Sequence, residues 1–294
     1  MVGNMGISAF SELERWDNGD VPQYLVVEMS AWQARDIYNF MKGNIPHVEV
    51  SVITSVYDQS PSETSMQNGD INKIGEFNHH ANHIVCPMEI KESIKKLAAK
   101  KAKNISTIES TAKAKSKAIA DKYSPAFAVL RKLGFSAGQI NGALKSYKGN
   151  PGRNEMILRT ENAMFINDSS AIIPAAVNFT MDNYESLPVH LICGGSDSTL
   201  EPTEMLRALK AAASIHLLEG SFTTKKLIPM LKKRRIAFNG PYTQMEEAVS
   251  SASSRLDPET KMLQIVLLSP GASSYEFFSN EFKRGECFNN AVLK

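Results

Sequence analysis

Short apolar runs alternate with stretches of helical spacing in the first half of the chain. The runs at residues 24–28, 48–54 and 83–86 are rich in β-branched side chains and predict buried strands. The segments at 30–42 and 65–78 carry apolar residues at helical intervals and predict helices. Strands that alternate with helices are typical of a parallel sheet, so this half predicts an α/β domain.

The same alternation returns in the second half, after a strong turn signal. The run Gly149-Asn150-Pro151-Gly152 predicts a turn, and we place there the boundary between a domain at 1–150 and a domain at 151–294. Strands and helices alternate again in the second domain, which is therefore also predicted to be α/β. The expected strands lie at 163–167, 189–193, 214–218, 235–238 and 263–268, and the expected helices at 201–211, 224–233, 243–254 and 274–292.

Residues 89–122 differ from the rest of the chain because they are rich in Lys, Ala and Ser. A basic run of this kind suggests either a nucleic-acid surface or a solvated helix. It contains no interleaved aromatic side chains, and the net charge of the whole chain is only +2. We therefore interpret the run as a solvated helix followed by a poorly packed segment, and we expect no nucleic-acid partner.

The overall composition is that of an ordinary globular protein, with 43% apolar and 22% charged residues among 294. No run of 18 apolar residues occurs, and the N-terminus has no basic region followed by an apolar stretch, so we expect no membrane partner and no secretory signal. The three cysteines, Cys86, Cys193 and Cys287, are too few and too scattered for a disulfide framework. A cytoplasmic location fits this cysteine usage.

Polar residues that directly follow predicted strands are the candidates for chemistry, because open α/β sheets bind ligands at the carboxyl ends of their strands. Glu28 ends the first strand and is either a Mg²⁺ ligand or a cap of the next helix. Gly194-Gly195 follows another strand and would let a phosphate approach the backbone, although the pattern is not that of a dinucleotide-binding loop. Asp168 follows a third, where it either accepts hydrogen bonds from a ribose or forms an Asx-turn.

Other possible signals are weaker or missing. The cluster His79, His80 and His83 lacks a cysteine or carboxylate that would complete a metal site, so we interpret these histidines as solvated loop residues. Taken by itself, Lys73 is typical of a solvated helical lysine. The sequence contains neither a G-x-x-x-x-G-K-[ST] phosphate loop nor a G-x-S-x-G nucleophile elbow.

Several segments, in their order along nearly the whole chain, together resemble the Mur ligase family. The most specific is the last, in which a strand runs into a Ser-Pro-Gly turn and the sequence NEFKRG follows at residues 280–285. The matching segments are LVVEMSAWQ at 25–33, VITSV at 52–56, GNPGRNE at 149–155, FINDS at 165–169, LICGGSD at 191–197 and LLSPGASSYEFF at 267–278.

The resemblance implies a partial central ATPase domain at 1–150 and a Rossmann-like C-terminal domain at 151–294. It also implies an ADP-forming ligase of peptidoglycan precursor synthesis that uses ATP and Mg²⁺, with UDP-N-acetylmuramoyl-L-alanine and D-glutamate as substrates. Seven site residues are carried over by position. They are Glu28 and Lys73 for the metal, with Lys73 carbamylated and catalytic; Asn4, Gln33 and Ser274 for the substrates; and Arg153 and Asp168 for the nucleotide.

This sequence departs from the family pattern at several positions. Gln59-Ser60 stands where the family has Asp-His, and Ser170 and Ser198 stand where it has lysines. Because a phosphate loop has no counterpart either, two alternatives remain open. The first is a ligase whose phosphate loop comes from a missing N-terminal segment or chain, and the second is a non-catalytic remnant or binding module. A third, a dehydrogenase, rests on Gly194-Gly195 alone.

Overall fold

A computed structural model describes residues 2–3, 8–41, 48–53, 81–87, 91, 105–108, 117–197 and 199–294. The chain divides into two compact units, residues 1–144 and 145–294. The boundary predicted from the sequence lies a few residues later, after residue 150. That the two units correspond to a central ATPase domain and a C-terminal domain stays a prediction.

The first unit, as far as it is described, consists of parallel strands and helices. Strands β1 and β2 pair with each other, and β3, β4 and β5 form a second parallel sheet in that order. The strands are β1 (Val2–Gly3), β2 (Val27–Glu28), β3 (Val48–Val52), β4 (Ala81–Pro87) and β5 (Ile105–Ile108). The helices are α1 (Leu13–Asp17), α2 (Ala31–Met41), α3 (Lys117–Lys132) and α4 (Ala137–Ser146), with a 3-10 turn at Ala9–Glu12.

Three predictions for this unit need correction. The strand expected at 24–28 is formed only by Val27–Glu28. The lysine-rich run was expected to be helical and then poorly packed, yet it contains β5, because Ile105–Ile108 is a short β-branched segment within a lysine-rich background. His83 lies within strand β4, not in a loop. The predicted helix at 65–78, together with His79 and His80, lies outside the described residues.

The second unit is built on one six-stranded sheet with the order β10-β9-β8-β11-β7-β6. All neighbouring strands are parallel except the edge strand β6, which runs antiparallel to β7. The strands are β6 (Glu155–Arg159), β7 (Ala163–Asn167), β8 (Val189–Cys193), β9 (Ser214–Leu218), β10 (Asn239–Tyr242) and β11 (Gln264–Leu268). The helices are α5 (Pro174–Met181), α6 (Leu206–Ala211), α7 (Ile228–Lys233), α8 (Met245–Ser253) and α9 (Glu281–Leu293). Short 3-10 helices lie at Asp182–Tyr184 and Pro202–Met205, and a short π-helix lies at Thr223–Leu227.

Both faces of this sheet are covered, as expected for central parallel strands. Successive side chains of a strand point to opposite faces, so Ile265 and Leu267 of β11 join one core and Val266 and Leu268 join the other. Residues of α5, α6 and α7 complete the first core, and residues of α8 and α9 complete the second. The α/β class is therefore confirmed, and the loops at the carboxyl ends of the strands extend from a sheet that has a hydrophobic core on each face.

The predicted elements of the second unit agree with the structure except at its edges and loops. Strands β7, β8 and β9 coincide with the predicted ranges 163–167, 189–193 and 214–218. The strand expected at 235–238 is wrong, since β10 begins at Asn239. The helix expected from residue 274 begins only at Glu281, where the Asn280 side chain accepts a hydrogen bond from the Lys283 N–H. Strand β6 and helix α5 were not predicted.

Candidate functional site

Three loops meet at the carboxyl edge of the six-stranded sheet. They follow β7, β8 and β11 and comprise residues 167–170, 194–196 and 269–274. Backbone N–H groups of the first two loops donate to carbonyls of β11 and its loop: Asp168 to Leu268, Gly194 to Pro270 and Ser196 to Ser273. Ligands of open α/β sheets bind at this edge, so the loops form the candidate site of the second unit.

The glycine pair after β8 allows the close approach of these loops. Gly194 and Gly195 have φ values of 101° and 142°, a region that L side chains rarely adopt. A Cβ atom on Gly194 would lie 2.3 Å from the Thr223 hydroxyl, and one on Gly195 would lie 2.6 Å from the Ser273 carbonyl oxygen. Both glycines are therefore needed for packing against neighbouring chain segments, whatever ligand the site binds.

A narrow crevice opens between the glycine pair and the loop after β11. Ser274 lines it and is 3% exposed, yet its hydroxyl forms no hydrogen bond with any other described residue. The crevice measures about 10 Å³, which is room for about one oxygen atom. Phe277 and Phe278 form an apolar side, and Glu219 lies at the same opening. The free hydroxyl makes Ser274 a suitable donor to an entering carboxylate.

Asp168 is buried, with 6% of its surface exposed, and both of its carboxylate oxygens are occupied. One oxygen accepts from the Asn154 N–H at 3.0 Å, and the other accepts from the Thr180 and Ser269 hydroxyls at 2.6 and 2.9 Å. Burial raises the pKa of Asp168, while these hydrogen bonds and the nearby Arg153 oppose that rise. In this arrangement the carboxylate fixes three segments of the fold, and its predicted contact with a nucleotide stays a prediction.

Arg153 lies in the turn that Asp168 holds. Gly152, next to it, has φ 67° and donates its N–H to the Glu155 carboxylate at 2.8 Å. The Asn154 side chain accepts from the Tyr184 hydroxyl at 2.6 Å, which fixes the other side of the turn. The Arg153 side chain itself is exposed, so its guanidinium is available to an anion.

Arg284 was not singled out from the sequence, yet it is the largest fully buried side chain of the described chain, at 1% exposure. It reaches from α9 to the loops after β7 and β11. Its guanidinium donates to the Ser169 hydroxyl and carbonyl at 3.0 and 2.9 Å, and to the carbonyls of Ala272 and Ser273 at 2.9 and 3.2 Å. The only sequence signal was an arginine one turn into a helix, which is ordinarily a solvated position.

The first unit contributes two predicted site residues to the described structure. Glu28 ends β2 and is partly exposed, and its carboxylate forms no hydrogen bond or ion pair within the described residues. Gln33 accepts from the N–H and hydroxyl of Ser30 at 2.8 and 3.0 Å, and its own N–H donates to that hydroxyl. This pattern is a capping box at the start of α2, so the Gln33 carbonyl oxygen has a structural role.

The remaining predicted site residues, Asn4 and Lys73, lie outside the described residues. In the part of the chain that the structure does describe, no group of three or more His, Cys, Asp or Glu side chains is placed to hold a metal ion. None of the helices formed by these described residues is long and apolar enough to cross a membrane. The roles assigned to all seven site residues stay predictions.

No family model matches the sequence. Curated relatives do match. A UDP-N-acetylmuramoylalanine–D-glutamate ligase of Treponema pallidum is 33% identical over 150 residues, which cover 51% of this chain and 27% of the relative. The ligase of the same name from Borreliella burgdorferi strain B31 is 26% identical over 321 residues, covering 99% of this chain and 67% of the relative. The chain thus spans about two-thirds or less of the length of these relatives.

A solved structure shares the fold. It is the bifunctional folylpolyglutamate synthase/dihydrofolate synthase of Yersinia pestis complexed with AMPPNP and Mn ion, with a TM-score of 0.54 and 14% identity. The match covers 83% of this chain and 60% of that one. At this identity the likeness concerns the fold alone. The sequence match to the Borreliella ligase runs over nearly the whole chain, and it confirms the resemblance to Mur ligases that the ordered motifs indicated.

Proposed function

We propose that this protein functions as an ATP-dependent, ADP-forming ligase that adds D-glutamate to UDP-N-acetylmuramoyl-L-alanine in peptidoglycan precursor synthesis. The names of the curated relatives support this choice of reaction. In such a reaction the γ-phosphate of ATP passes to the substrate carboxylate, giving an acyl phosphate and ADP. The amine of D-glutamate then attacks the acyl carbon, an amide bond forms, and inorganic phosphate leaves.

The observation that carries the proposal is the free Ser274 hydroxyl in its crevice at the carboxyl edge of the sheet. The hydroxyl is a donor with no protein acceptor among the described residues, and it lies at the opening of a crevice that has room for about one oxygen atom of a carboxylate. An amino acid held there by a carboxylate would keep its position while its amine reacts, and positioning is a large part of catalysis by such enzymes.

Glu28 is the proposed ligand for Mg²⁺. Its carboxylate is partly exposed at the end of a parallel strand and is not bonded within the described residues, which fits a hard-cation ligand. A bound Mg²⁺ would neutralise charge on the phosphate groups during transfer. Lys73 in carbamylated form is proposed as a second oxygen donor, which requires its amine to be unprotonated when the modification forms. The related fold that holds AMPPNP and Mn ion supports a nucleotide and a divalent metal.

Arg153 and Asp168 are proposed to serve the nucleotide in different ways. The exposed guanidinium of Arg153 is free to contact phosphate or ribose oxygens. Asp168 accepts the Asn154 N–H and so fixes the turn that presents Arg153. Gln33 keeps an amide NH₂ group for the UDP-linked substrate, since the capping box uses its carbonyl oxygen. Asn4 is proposed as a second contact to that substrate.

A chimera tests the proposal. In it, this chain replaces the two-thirds of the Borreliella ligase to which it aligns, and the remaining third comes from the Borreliella ligase. We expect the chimera to form UDP-N-acetylmuramoyl-L-alanyl-D-glutamate and ADP, measured by chromatography. Glu28→Ala and Lys73→Ala should each lower the rate on the order of a hundredfold or more, because each removes charge stabilisation at the transferring phosphate.

The control is the Borreliella ligase cut and rejoined at the same position. If that control is active and the chimera folds but forms no product, the chain is not a ligase. Binding of D-glutamate without turnover by the folded chimera would then favour the non-catalytic binding module.

A further inference from the structure

Arg284 is a buried cation without a buried anion to match it. All four of its hydrogen bonds end on neutral oxygens, namely the hydroxyl and carbonyl of Ser169 and the carbonyls of Ala272 and Ser273. No carboxylate lies within salt-bridge distance of it among the described residues. Asp168, next to Ser169 in sequence, directs its carboxylate to other donors.

The guanidinium keeps its charge in this environment. Burial lowers the pKa of Arg284 to about 10, and the charge of Glu281, one turn earlier on α9, opposes that decrease. The group is therefore protonated at neutral pH. A buried charge without a counter-ion is costly, and such a charge attracts an anion strongly because little water screens it.

The crevice is where that attraction would act. Arg284 lines it together with Ser274 and Gly195. The guanidinium nitrogen that binds the Ala272 and Ser273 carbonyls lies 3.4 Å from the position of a Cβ built on Gly195. Glu219 is also at the opening, but it is partly exposed and forms no ion pair with Arg284. The buried cation and the free hydroxyl thus face the same small space.

We infer that Arg284 is a positioning and specificity-determining residue, whose charge and hold on the 272–274 loop make the Ser274 crevice a carboxylate site for the incoming amino acid. The inference rests on the proposed function for the identity of that amino acid. The carbonyl bonds of Arg284 orient the loop, and its charge offsets that of the carboxylate. Inorganic phosphate has related chemistry, so the test includes it as a separate ligand.

Binding is measured on the full chain by ligand-observed NMR with D-glutamate, without any need for turnover. Arg284→Met, which removes the charge, should weaken binding roughly tenfold or more, since a hydrogen-bonded charge is lost. Arg284→Lys, which keeps it, should restore most of the affinity. Ser169→Ala is the matched control: it removes one neutral partner of Arg284 but keeps the cation, and the loss should be about threefold or less.

A wild-type measurement covers the case in which Arg284→Met does not fold. In protein with ¹⁵N-labelled arginine, the Arg284 Nε–H resonance, assigned by its absence from Arg284→Lys, should shift during a D-glutamate titration with the same Kd. Each monoamide of D-glutamate lacks the charge of one of the two carboxylates. At least one of the two monoamides should fail to bind, because the site requires a carboxylate.

Several results would overturn the inference. If folded Arg284→Met binds D-glutamate as tightly as wild type, or if Ser169→Ala weakens binding as much as Arg284→Met does, Arg284 is purely structural and the proposed function stands. An unshifted Arg284 resonance in a chain that binds D-glutamate has the same meaning. Arg284-dependent binding of phosphate but not of D-glutamate would reject the amino-acid ligand and count against the proposed substrate, whereas the chimera tests catalysis separately.

Discussion

Acidification should destabilise the second unit through a buried chain of hydrogen-bonded polar side chains that includes His190, Ser214 and His216. His216 is 0% exposed, and its ring nitrogens lie 2.7 Å from the Ser214 hydroxyl and 2.9 Å from the Ser251 hydroxyl. The Tyr242 hydroxyl donates to Ser251 at 2.7 Å, and Ser214 lies 2.8 Å from the Nδ1 atom of His190. The perturbation is a fall in pH, and the residue that responds is His216.

The direction of the hydrogen bonds determines the tautomers. Because Tyr242 donates to Ser251, the Ser251 hydroxyl has its own hydrogen free to donate to Nδ1 of His216. His216 then carries its proton on Nε2 and donates to Ser214, which donates in turn to His190. A second proton on His216 would leave the Ser251 hydrogen without an acceptor in the chain. The folded state therefore favours neutral His216.

Burial, together with the charges of His190 and Arg255, lowers the pKa of His216 from 6.5 to about 4. The unfolded state binds a proton near pH 6.5 and the folded state only near pH 4, so stability is lost as the pH falls through this window. The linkage gives a loss of about 2 kcal/mol by pH 5 and about 3 kcal/mol by pH 4. Burial also lowers the pKa of His190, which acts in the same direction.

The assay is urea unfolding at several pH values, with labelling of Cys193 by a pyridyl disulfide as the signal for the second unit. Cys193 is fully buried on β8, so it reacts only when this unit unfolds. His216→Gln keeps a donor and an acceptor but does not titrate. Carboxylates titrate in both proteins, so the difference in unfolding free energy between them reports the titration of His216 together with its coupling to His190.

Between pH 7 and pH 5, the unfolding free energy of the wild type should fall by about 2 kcal/mol more than that of His216→Gln. A difference that stays constant across this range would refute the reasoning, because it would mean that His216 has the same pKa in the folded and unfolded states.

Three further predictions concern backbone, cap and thiol chemistry. Gly195→Ala should destabilise the second unit by roughly 1–3 kcal/mol or more. Gly142→Ala, in an open position of α4, should stabilise the protein by about 0.5–1 kcal/mol. Equal effects of the two substitutions in urea unfolding would contradict the packing described. Asn280→Ala removes the N-cap of α9 and should cost about 1 kcal/mol, with Asn280→Asp retaining most of the stability in thermal unfolding. In the native chain, the half-buried Cys287 should react with thiol reagents well before Cys193, whose pKa is raised to about 12 by burial; mass spectrometry of labelled peptides with the opposite order would contradict this.

The regular part of the second unit was predictable because its central strands are buried on both faces. A continuous apolar run such as that at 265–268 predicts a buried strand, and the structure places it in strand β11 within the predicted range 263–268. The edge strand β6 alternates between half-buried and exposed residues and contains charged ends, so it lacked that signal. The true start of α9 did have one: Asn280 is a good N-cap, and it was overlooked because the apolar residues before it extend the helical spacing.

The site was predictable only where a polar residue follows a strand. This rule identified Asp168 and Gly194-Gly195, and the resemblance added Ser274. It missed Arg284, whose partners lie 11 to 115 residues away in sequence and become neighbours only when β7, β11 and α9 pack. The burial of an arginine results from tertiary packing, and no local sequence pattern predicts it. The same holds for the His190–Ser214–His216 chain, which crosses two strands.

The most direct test of the ligase assignment follows oxygen atoms through the reaction. The chimera is supplied with UDP-N-acetylmuramoyl-L-alanine that carries ¹⁸O in its free carboxylate, together with ATP and D-glutamate, and the released phosphate is analysed by mass spectrometry. An acyl-phosphate route transfers one labelled oxygen to that phosphate for each amide formed, and this is the result we predict. Unlabelled phosphate, or no amide product while the rejoined Borreliella control is active, would contradict the account.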